Sequence, residues 1–236
     1  MRIDQVIVNF AIKKLIRVFC EIDEKELEKV PDYGPLIIVS NHINFIEVPL
    51  LYTHLLPRPV TGFAKAEGWK NPFLRYLANL WGAIPLRRGE ADVAAIRAAL
   101  SALENNKIVG LAPEGTRSGD GKLQRGHQGV VTLALQSGVQ LLPLVFYGNE
   151  NYLNDIKRLR RIKFNIVIGN RFILYNPDGK INHLKRQNMT DEIMYQLAAL
   201  LPPYYRGFYS DIQNATENFL VFPQGSISNI QYVTSN

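Results

Sequence analysis

Three short apolar runs constrain the fold of this chain more than any other feature of the sequence. They cover residues 36–39, 108–111 and 141–147. Apolar runs of this length predict strands that are buried in a sheet. Helical patterns accompany them at residues 47–56, 91–104, 130–137 and 189–201. This alternation predicts a single α/β domain, with a mixed, mostly parallel sheet that is flanked by helices.

The chain divides into three segments. We expect residues 1–30 to form an N-terminal amphipathic helical segment, residues 31–210 the α/β domain, and residues 211–236 a polar C-terminal tail. The tail is rich in Asn, Gln and Ser, so we expect it to be loosely attached. The length of 236 residues also favours one large domain over two.

The first twenty residues combine apolar positions at helical spacing with four basic residues. Two interpretations stay open for this helix. It either lies in a membrane interface, with its basic residues at anionic headgroups, or packs on the domain. The sequence has no apolar run near the roughly 20 residues that a membrane-spanning helix needs, and its N-terminus lacks the pattern of a signal peptide. We therefore expect a protein on the cytoplasmic side that binds the membrane peripherally.

The net charge narrows the class of partner, and the cysteine content limits the kinds of site. Lys and Arg number 27 against 21 Asp and Glu, which gives a formal net charge of +6. This charge favours a phospholipid surface, a phosphorylated substrate or nucleic acid. The basic cluster at residues 157–163 has no interleaved aromatic residues, which favours a solvated or headgroup-facing loop over a nucleic-acid site. Cys20 is the one cysteine, so a disulfide framework and a cysteine-based zinc site are excluded.

A histidine follows the first predicted strand directly. Residues 40–47 read Ser-Asn-His-Ile-Asn-Phe-Ile-Glu, so His42 and Glu47 are five residues apart. In a continuous helix this spacing separates them by about 140°, so they can pair only if His42 lies on the turn before the helix. A paired carboxylate would fix the imidazole tautomer and leave the other ring nitrogen to take a proton. The alternative is a histidine whose ring is bonded by backbone groups at a strand end.

Three further segments have a position or a composition that suits a site. Residues 113–118 read Pro-Glu-Gly-Thr-Arg-Ser, a tight turn that carries a carboxylate and a guanidinium after the second predicted strand. Arginine is suited to bidentate binding of a phosphate or carboxylate. Residues 82–88 contain two more arginines, and residues 142–144 place a proline in an apolar strand. Each segment taken alone is compatible with an ordinary surface turn or strand end.

Taken in order, the four segments resemble the four sequence blocks of the glycerolipid acyltransferase superfamily, which includes 1-acylglycerol-3-phosphate acyltransferase. The corresponding positions are Asn41, His42 and Glu47 in block one, Gly82, Ile84 and Arg88 in block two, residues 113–118 in block three, and residues 142–144 in block four. Block three is matched in full. Residues 64–67, Ala-Lys-Ala-Glu, are similar to a family segment that contains Lys65. The resemblance covers roughly residues 36–209 and makes residues 31–210 the expected acyltransferase domain.

The resemblance implies a reaction and a set of site residues. The reaction is transfer of a fatty acyl group from acyl-CoA or acyl carrier protein to the hydroxyl of a lysophospholipid, 1-acyl-glycerol-3-phosphate first of all, at an anionic membrane surface. His42 is implied as the general base and Glu47 as the acid that orients it. The implied substrate-binding residues are Asn41, Lys65, Arg88, Glu114, Gly115, Thr116 and Arg117, of which Lys65, Arg88 and Arg117 are the candidates for binding a phosphate. Neither a metal ion nor a tightly bound cofactor is implied.

The first block departs from the family pattern at Glu47, where the family usually has aspartate. Glutamate is one methylene longer, and a misplacement near 1 Å can reduce a rate about 100-fold. A working variant, a weakened enzyme and a lipid-binding protein with a dead site all stay open. Other acceptors also stay open, namely glycerol 3-phosphate, a glycolipid or a lyso-aminolipid.

Overall fold

The chain forms a central seven-stranded sheet. The structure, a computed structural model, describes residues 3–87, residue 89 and residues 92–234. The strands of the sheet are β1 (Cys20–Ile22), β2 (Leu36–Ser40), β3 (Val60–Lys65), β4 (Ile84–Leu86), β5 (Ile108–Leu111), β6 (Leu141–Tyr147) and β7 (Ile162–Ile168). They are arranged in the order β1-β7-β6-β2-β5-β3-β4. Strands β2 to β6 run parallel to one another, and β7 runs antiparallel to β6. The predicted α/β class with a mixed, mostly parallel sheet is confirmed.

Helices cover both faces of this sheet. They are α1 (Ile3–Phe19), α2 (Glu24–Leu27), α3 (Glu47–His54), α4 (Pro72–Leu80), α5 (Val93–Glu104), α6 (Gly129–Ser137), α7 (Tyr152–Lys157), α8 (His183–Leu200) and α9 (Asn229–Thr234). Side chains of β2 alternate between the faces, as they do in any strand. Ile37 and Val39 pack with residues of α5, α6 and α8, whereas Leu36 and Ile38 pack with residues of α1, α2 and α3.

The N-terminal segment contains the expected helix, and it also contributes to the sheet. Helix α1 packs on α3, and its Asn9 accepts a hydrogen bond from the indole N–H of Trp81 at 2.9 Å. Directly after it, β1 pairs in parallel with β7 at the sheet edge. The apolar residues of α1 that stay exposed are Ile3, Val6, Ile7, Phe10, Leu15, Val18 and Phe19. No helix in the part of the chain that the structure describes is long and apolar enough to cross a bilayer.

The expectation of a loosely attached segment after residue 210 is wrong for its described residues. Strand β9 (Leu220–Val221) pairs antiparallel with β8 (Ile173–Leu174), and α9 packs on α8. Asn229 is fully buried, and its backbone and side-chain N–H groups both donate to Oε1 of Gln196, at 3.1 and 2.8 Å. Polar composition did not reveal this, because a buried polar side chain with hydrogen-bond partners has the same sequence signature as a solvated one.

The direction of the strands determines where the candidate site segments lie. Strands β2, β3, β4, β5 and β6 are parallel, so their carboxyl ends lie along one edge of the sheet. This carboxyl edge is where open α/β sheets bind their ligands. Block one follows β2, block three follows β5, and β3 ends at Lys65. The fold therefore brings these segments to one edge.

Candidate active site

His42 and Glu47 form a hydrogen-bonded pair at the carboxyl edge. Nδ1 of His42 lies 2.7 Å from Oε2 of Glu47. His42 lies on the turn between β2 and α3, and Glu47 is the first residue of α3, which is the geometry that their spacing required. The side chain of His42 is 19% exposed, whereas that of Glu47 is only 3% exposed. Within the described residues no hydrogen bond occupies Nε2 of His42, the ring nitrogen that a substrate proton could reach.

Three further groups donate to the Glu47 carboxylate. The backbone N–H of Ile43 lies 3.0 and 3.1 Å from its two oxygens, and the backbone N–H of Asn44 lies 3.0 Å from Oε1. Nδ2 of Asn149 donates to Oε1 at 2.9 Å. A buried carboxylate needs such partners, and the N-terminus of a helix favours its negative charge. The carboxylate is thereby held rigidly against the imidazole.

Asparagine side chains connect this turn to the end of β6. Asn41 both donates to the backbone oxygen of Phe146 and accepts from its N–H, each at 2.8 Å. Nδ2 of Asn44 donates to the backbone oxygen of Asn149 at 2.9 Å. Neither Asn44 nor Asn149 was predicted as a site residue from the sequence. The available signal was the position of Asn149, two residues beyond a predicted parallel strand, where side chains meet those after β2.

Glu114 lies beneath the surface of the site and is 1% exposed. Its Oε1 accepts from the backbone N–H of His42 at 3.0 Å, and its Oε2 accepts from that of Gln124 at 2.8 Å. Burial raises the pKa of the Glu114 carboxyl from 4.5 to about 7, and the charge of Glu47 adds to this rise against the effect of the two N–H donors. Glu114 thus joins the loop after β5 to the His42 backbone.

The third block also contacts His42, on the side of the loop after β5. The backbone N–H of Ser118 donates to the backbone oxygen of His42 at 2.8 Å. Gly115 has a φ of +66°, and a Cβ there would come within 2.9 Å of Cδ2 of His127. Both observations explain why this turn requires glycine. His127 therefore packs on the turn of the block.

The side chains that could reach a substrate lie at the surface of the carboxyl edge. Thr116 and Arg117 are exposed beyond β5, and Lys65 is exposed at the end of β3. Strand β3 is the next neighbour of β5, which in turn pairs with β2. Arg88, the remaining predicted phosphate ligand, lies outside the described residues. The structure therefore places Lys65, Thr116 and Arg117 on the same edge as His42.

The residues after block three are anchored by the segment at residues 203–209. The backbone N–H of Leu123 donates to Tyr205 at 3.0 Å, and the N–H of Phe208 donates to Leu123 at 2.9 Å. The Tyr209 hydroxyl accepts from the N–H of Gly126 at 3.0 Å and donates to Asp191 at 2.8 Å. This segment restrains the loop that carries Glu114 and Arg117.

The arrangement can carry out base chemistry on a hydroxyl group. A histidine whose Nδ1 is held by a carboxylate can accept a proton at Nε2 and can be stabilised as the imidazolium. Among the described residues, no group of three or more His, Cys, Asp or Glu side chains could hold a metal ion.

The family of this chain follows from comparison with known proteins. Residues 21–147, more than half of the chain, match the family model described as Acyltransferase. The chain therefore belongs to the acyltransferase family and is an acyltransferase. The matched residues contain His42, Glu47 and the whole of block three.

Individual relatives agree with this assignment. A 1-acyl-sn-glycerol-3-phosphate acyltransferase of Borreliella burgdorferi is 26% identical over 179 residues, which are 74% of this chain and 69% of the relative. A lyso-ornithine lipid O-acyltransferase of Pseudomonas aeruginosa is 28% identical over an alignment of 142 residues, with coverage of 54% of each chain. The fold resembles the crystal structure of the 1-acyl-sn-glycerophosphate (LPA) acyltransferase PlsC from Thermotoga maritima, with a TM-score of 0.56, 23% identity, and coverage of 80% of this chain and 77% of that one.

Proposed function

We propose that this acyltransferase transfers a fatty acyl group from a thioester to the free hydroxyl of 1-acyl-glycerol-3-phosphate, giving phosphatidic acid. The observation that carries the proposal is the 2.7 Å contact between His42 and Glu47 at the carboxyl edge, beside the cationic side chains of Lys65 and Arg117. The Borreliella relative with the corresponding name supports this acceptor.

In the proposed mechanism His42 acts as the general base. Its Nε2 takes the proton of the acceptor hydroxyl while that oxygen attacks the thioester carbonyl carbon. The C–O bond forms, the C–S bond breaks, and the leaving thiolate takes the proton back from the imidazolium. Glu47 fixes the tautomer and stabilises the imidazolium. Base catalysis of this kind supplies about 10²–10⁴-fold, so positioning and electrostatic stabilisation supply the rest.

The other predicted site residues have two kinds of role in this proposal. Lys65 and Arg117 are exposed and bind the acceptor phosphate, together with Arg88, while Gly115 and Thr116 form the turn beside it. Asn41 and Glu114 are buried, so they act as positioning residues through the backbone of Phe146 and His42. Asn149 is a positioning residue for Glu47.

The partners follow from this reaction. The acyl donor is acyl-CoA or acyl carrier protein, and the acceptor has an acyl chain that belongs in a bilayer. The exposed apolar residues of α1, together with Lys13 and Lys14, suit an interface with an anionic membrane, whereas Arg17 is paired with Glu24 at 2.7 Å. We propose that α1 docks the enzyme peripherally on the cytoplasmic face of the membrane.

An acceptor screen tests the proposed substrate. One labelled acyl-CoA is offered with 1-acyl-glycerol-3-phosphate, glycerol 3-phosphate, a neutral lysolipid and a lyso-aminolipid, and the products are separated. We expect the highest kcat/KM with 1-acyl-glycerol-3-phosphate. Arg117→Ala should raise the KM for this acceptor and leave that for a neutral lysolipid unchanged. An absence of thiol release with every acceptor would instead indicate a lipid-binding protein with a dead site.

A second acceptor class is favoured by one observation. The Pseudomonas relative is named for a lyso-ornithine lipid, which is a lyso-aminolipid. Preference for that acceptor in the screen, with no effect of Arg117→Ala on its KM, would replace the phosphate acceptor and leave the His42 mechanism in place.

A further inference from the structure

The connection between β6 and β7 exposes apolar side chains that the proposed reaction does not use. We call residues 152–163, which comprise α7, the turn after it and the first two residues of β7, the β6–β7 tip. Its Leu153, Ile156 and Leu159 are 57%, 41% and 95% exposed. Single exposed apolar residues are common on protein surfaces, so exposure alone carries no conclusion. Two further observations single out this tip.

The first observation is the backbone conformation of Leu159. Its φ is +51°, in the left-handed region that favours glycine. The N–H of Leu159 donates to Ile156 at 3.0 Å and the N–H of Arg160 to Asp155 at 2.8 Å, which is the hydrogen-bond pattern of a helix end that usually has glycine at this position. A leucine adds strain here, yet its side chain gains almost no burial within the chain. Its apolar surface is therefore available to a partner.

The second observation is the charge around Leu159. Five exposed basic residues belong to the tip: Lys157, Arg158, Arg160, Arg161 and Lys163. None of them forms an ion pair with a carboxylate of the described residues. Apolar side chains that project from a basic surface are the pattern of a segment that binds an anionic membrane interface.

The tip is continuous with α1 and with the rim of the active site. The Arg161 guanidinium donates to the backbone oxygen of Arg17 at 2.9 Å and to that of Cys20, at the end of α1. At the other end of the tip, the ring of Tyr152 contacts the ring of Phe45, with centroids 5.7 Å apart. Phe45 is exposed and lies three residues after His42. The tip therefore connects the proposed docking helix to the catalytic turn.

We propose that the β6–β7 tip is a second membrane-docking element, whose Leu159 enters the acyl boundary while its basic residues bind the phosphate groups of anionic lipids. This inference rests on the proposed function, because that function takes its acceptor from a bilayer. Together with α1, the tip would hold the His42 turn against the lipid surface. An acidic carrier protein would also suit the charge, but it would not account for an exposed leucine at a glycine position.

The first test compares two exposed leucines. Leu159→Gln and the matched control Leu184→Gln, at the start of α8, are measured for binding to vesicles of phosphatidylglycerol and phosphatidylcholine. We expect Leu159→Gln to weaken binding about tenfold, the effect of withdrawing one leucine side chain from an apolar environment, and the control to bind like the wild type. Equal binding by both variants would overturn the proposal.

A glycine variant distinguishes a structural role of Leu159 from a docking role. Leu159→Gly removes the strain of the left-handed conformation, so we expect a thermal unfolding midpoint that is unchanged or raised by about 2 °C. The same variant should lose vesicle binding as Leu159→Gln does. A lowered midpoint with unchanged vesicle binding would show that Leu159 serves the fold and would refute the proposal.

The second test reverses charge. Arg158→Glu with Arg160→Glu should reduce binding to vesicles containing phosphatidylglycerol at least tenfold, about 1 kcal/mol per removed cation, and leave binding to pure phosphatidylcholine unchanged. The control pair is Arg97→Glu with Arg171→Glu, two exposed arginines elsewhere on the surface. A loss of the same size in the control pair would contradict a specific surface at the tip.

Activity measurements keep this inference separate from the proposed function. With a dissolved short-chain acceptor and acyl-CoA, all tip variants should keep the wild-type rate, because none of these residues belongs to the catalytic site. If wild-type enzyme shows no acyl transfer but the tip variants still lose vesicle binding, the proposed function fails and the docking surface stands. If the variants lose rate only with acyl carrier protein as donor and bind vesicles normally, the tip binds the carrier protein and the membrane inference is wrong.

Discussion

At the residue scale, the site accommodates glutamate at the position where the family resemblance implies aspartate. The Glu47 carboxylate starts α3 and accepts from the backbone of Ile43 and Asn44, which brings it back to the turn that carries His42. The additional methylene therefore does not prevent the 2.7 Å contact with His42. Of the three outcomes that the sequence left open, this geometry favours a working variant.

Asn149 offers a direct test of how Glu47 is held. Asn149→Leu removes the donor to Oε1 while keeping the side-chain size, so we expect kcat to fall about tenfold, the value of one charge-assisted hydrogen bond, with little change in KM. Asn149→Asp replaces this donor with a second carboxylate beside Glu47, so we expect kcat to fall at least as far. A kcat that stays at the wild-type value in both variants would mean that Asn149 serves only the fold.

Glu114 gives the protein a predicted pH dependence of stability. Its folded pKa of about 7 lies above the ordinary value of 4.5, so the protonated carboxyl stabilises the folded state. This contribution is complete below pH 4.5 and is lost as the pH rises through 7. It amounts to about 3 kcal/mol of the free energy of unfolding. In urea unfolding experiments, we expect the wild type to lose stability relative to Glu114→Gln when the pH is raised from 5 to 8. An equal pH dependence in both proteins would contradict the raised pKa.

At the element scale, periodicity predicted the inner strands well and the long helix poorly. Strands β2, β5 and β6 are apolar on both faces, so their sequences stand out. Helix α8 starts at His183, capped by Asn182, six residues before the predicted start. Thr190, next to the predicted start, lies within the helix and donates to the backbone oxygen of Arg186 at 2.8 Å. Buried polar residues along α8 hid its apolar period from the sequence.

Local sequence patterns also predicted only part of the candidate site. Spacing alone left the pairing of His42 and Glu47 conditional on a turn, and the family resemblance then predicted their roles. Asn149 lies 102 residues from Glu47 in the chain, so only the pairing of β6 with β2 reveals that they meet. The contacts of Glu114 also depend on neighbouring strands, β2 and β5. Local patterns carry no information on such long-range contacts.

The segment at residues 203–209 should determine the stability of the loop after β5. Tyr209→Phe removes the hydroxyl that accepts from Gly126 and donates to Asp191, leaving a buried N–H without a partner. We expect a loss of about 1–3 kcal/mol in the free energy of unfolding, measured with urea. The control is Tyr204→Phe, since Tyr204 is 63% exposed and should be nearly neutral. Similar effects of the two substitutions would contradict this anchoring role.

At the scale of the whole molecule, the proposed reaction requires that a water-exposed enzyme reach a bilayer substrate. Ile7 and Phe10 are 61% and 68% exposed on α1. Ile7→Gln with Phe10→Gln should weaken vesicle binding more than tenfold and reduce the rate with a long-chain acceptor in vesicles. The rate with a dissolved short-chain acceptor should stay at the wild-type value. Equal losses with both acceptors would favour a helix that only packs on the domain.

One kinetic comparison tests whether an imidazole held by Glu47 removes the proton of the acceptor hydroxyl. Initial rates of acyl transfer to 1-acyl-glycerol-3-phosphate are measured for the wild type, His42→Ala, Glu47→Gln and Glu47→Asp, with thermal unfolding as a control for folding. We expect a loss of at least about 100-fold for His42→Ala, a large loss for Glu47→Gln and a smaller one for Glu47→Asp, with an intact fold in all. If a folded His42→Ala variant kept most of the wild-type rate, His42 would not be the general base.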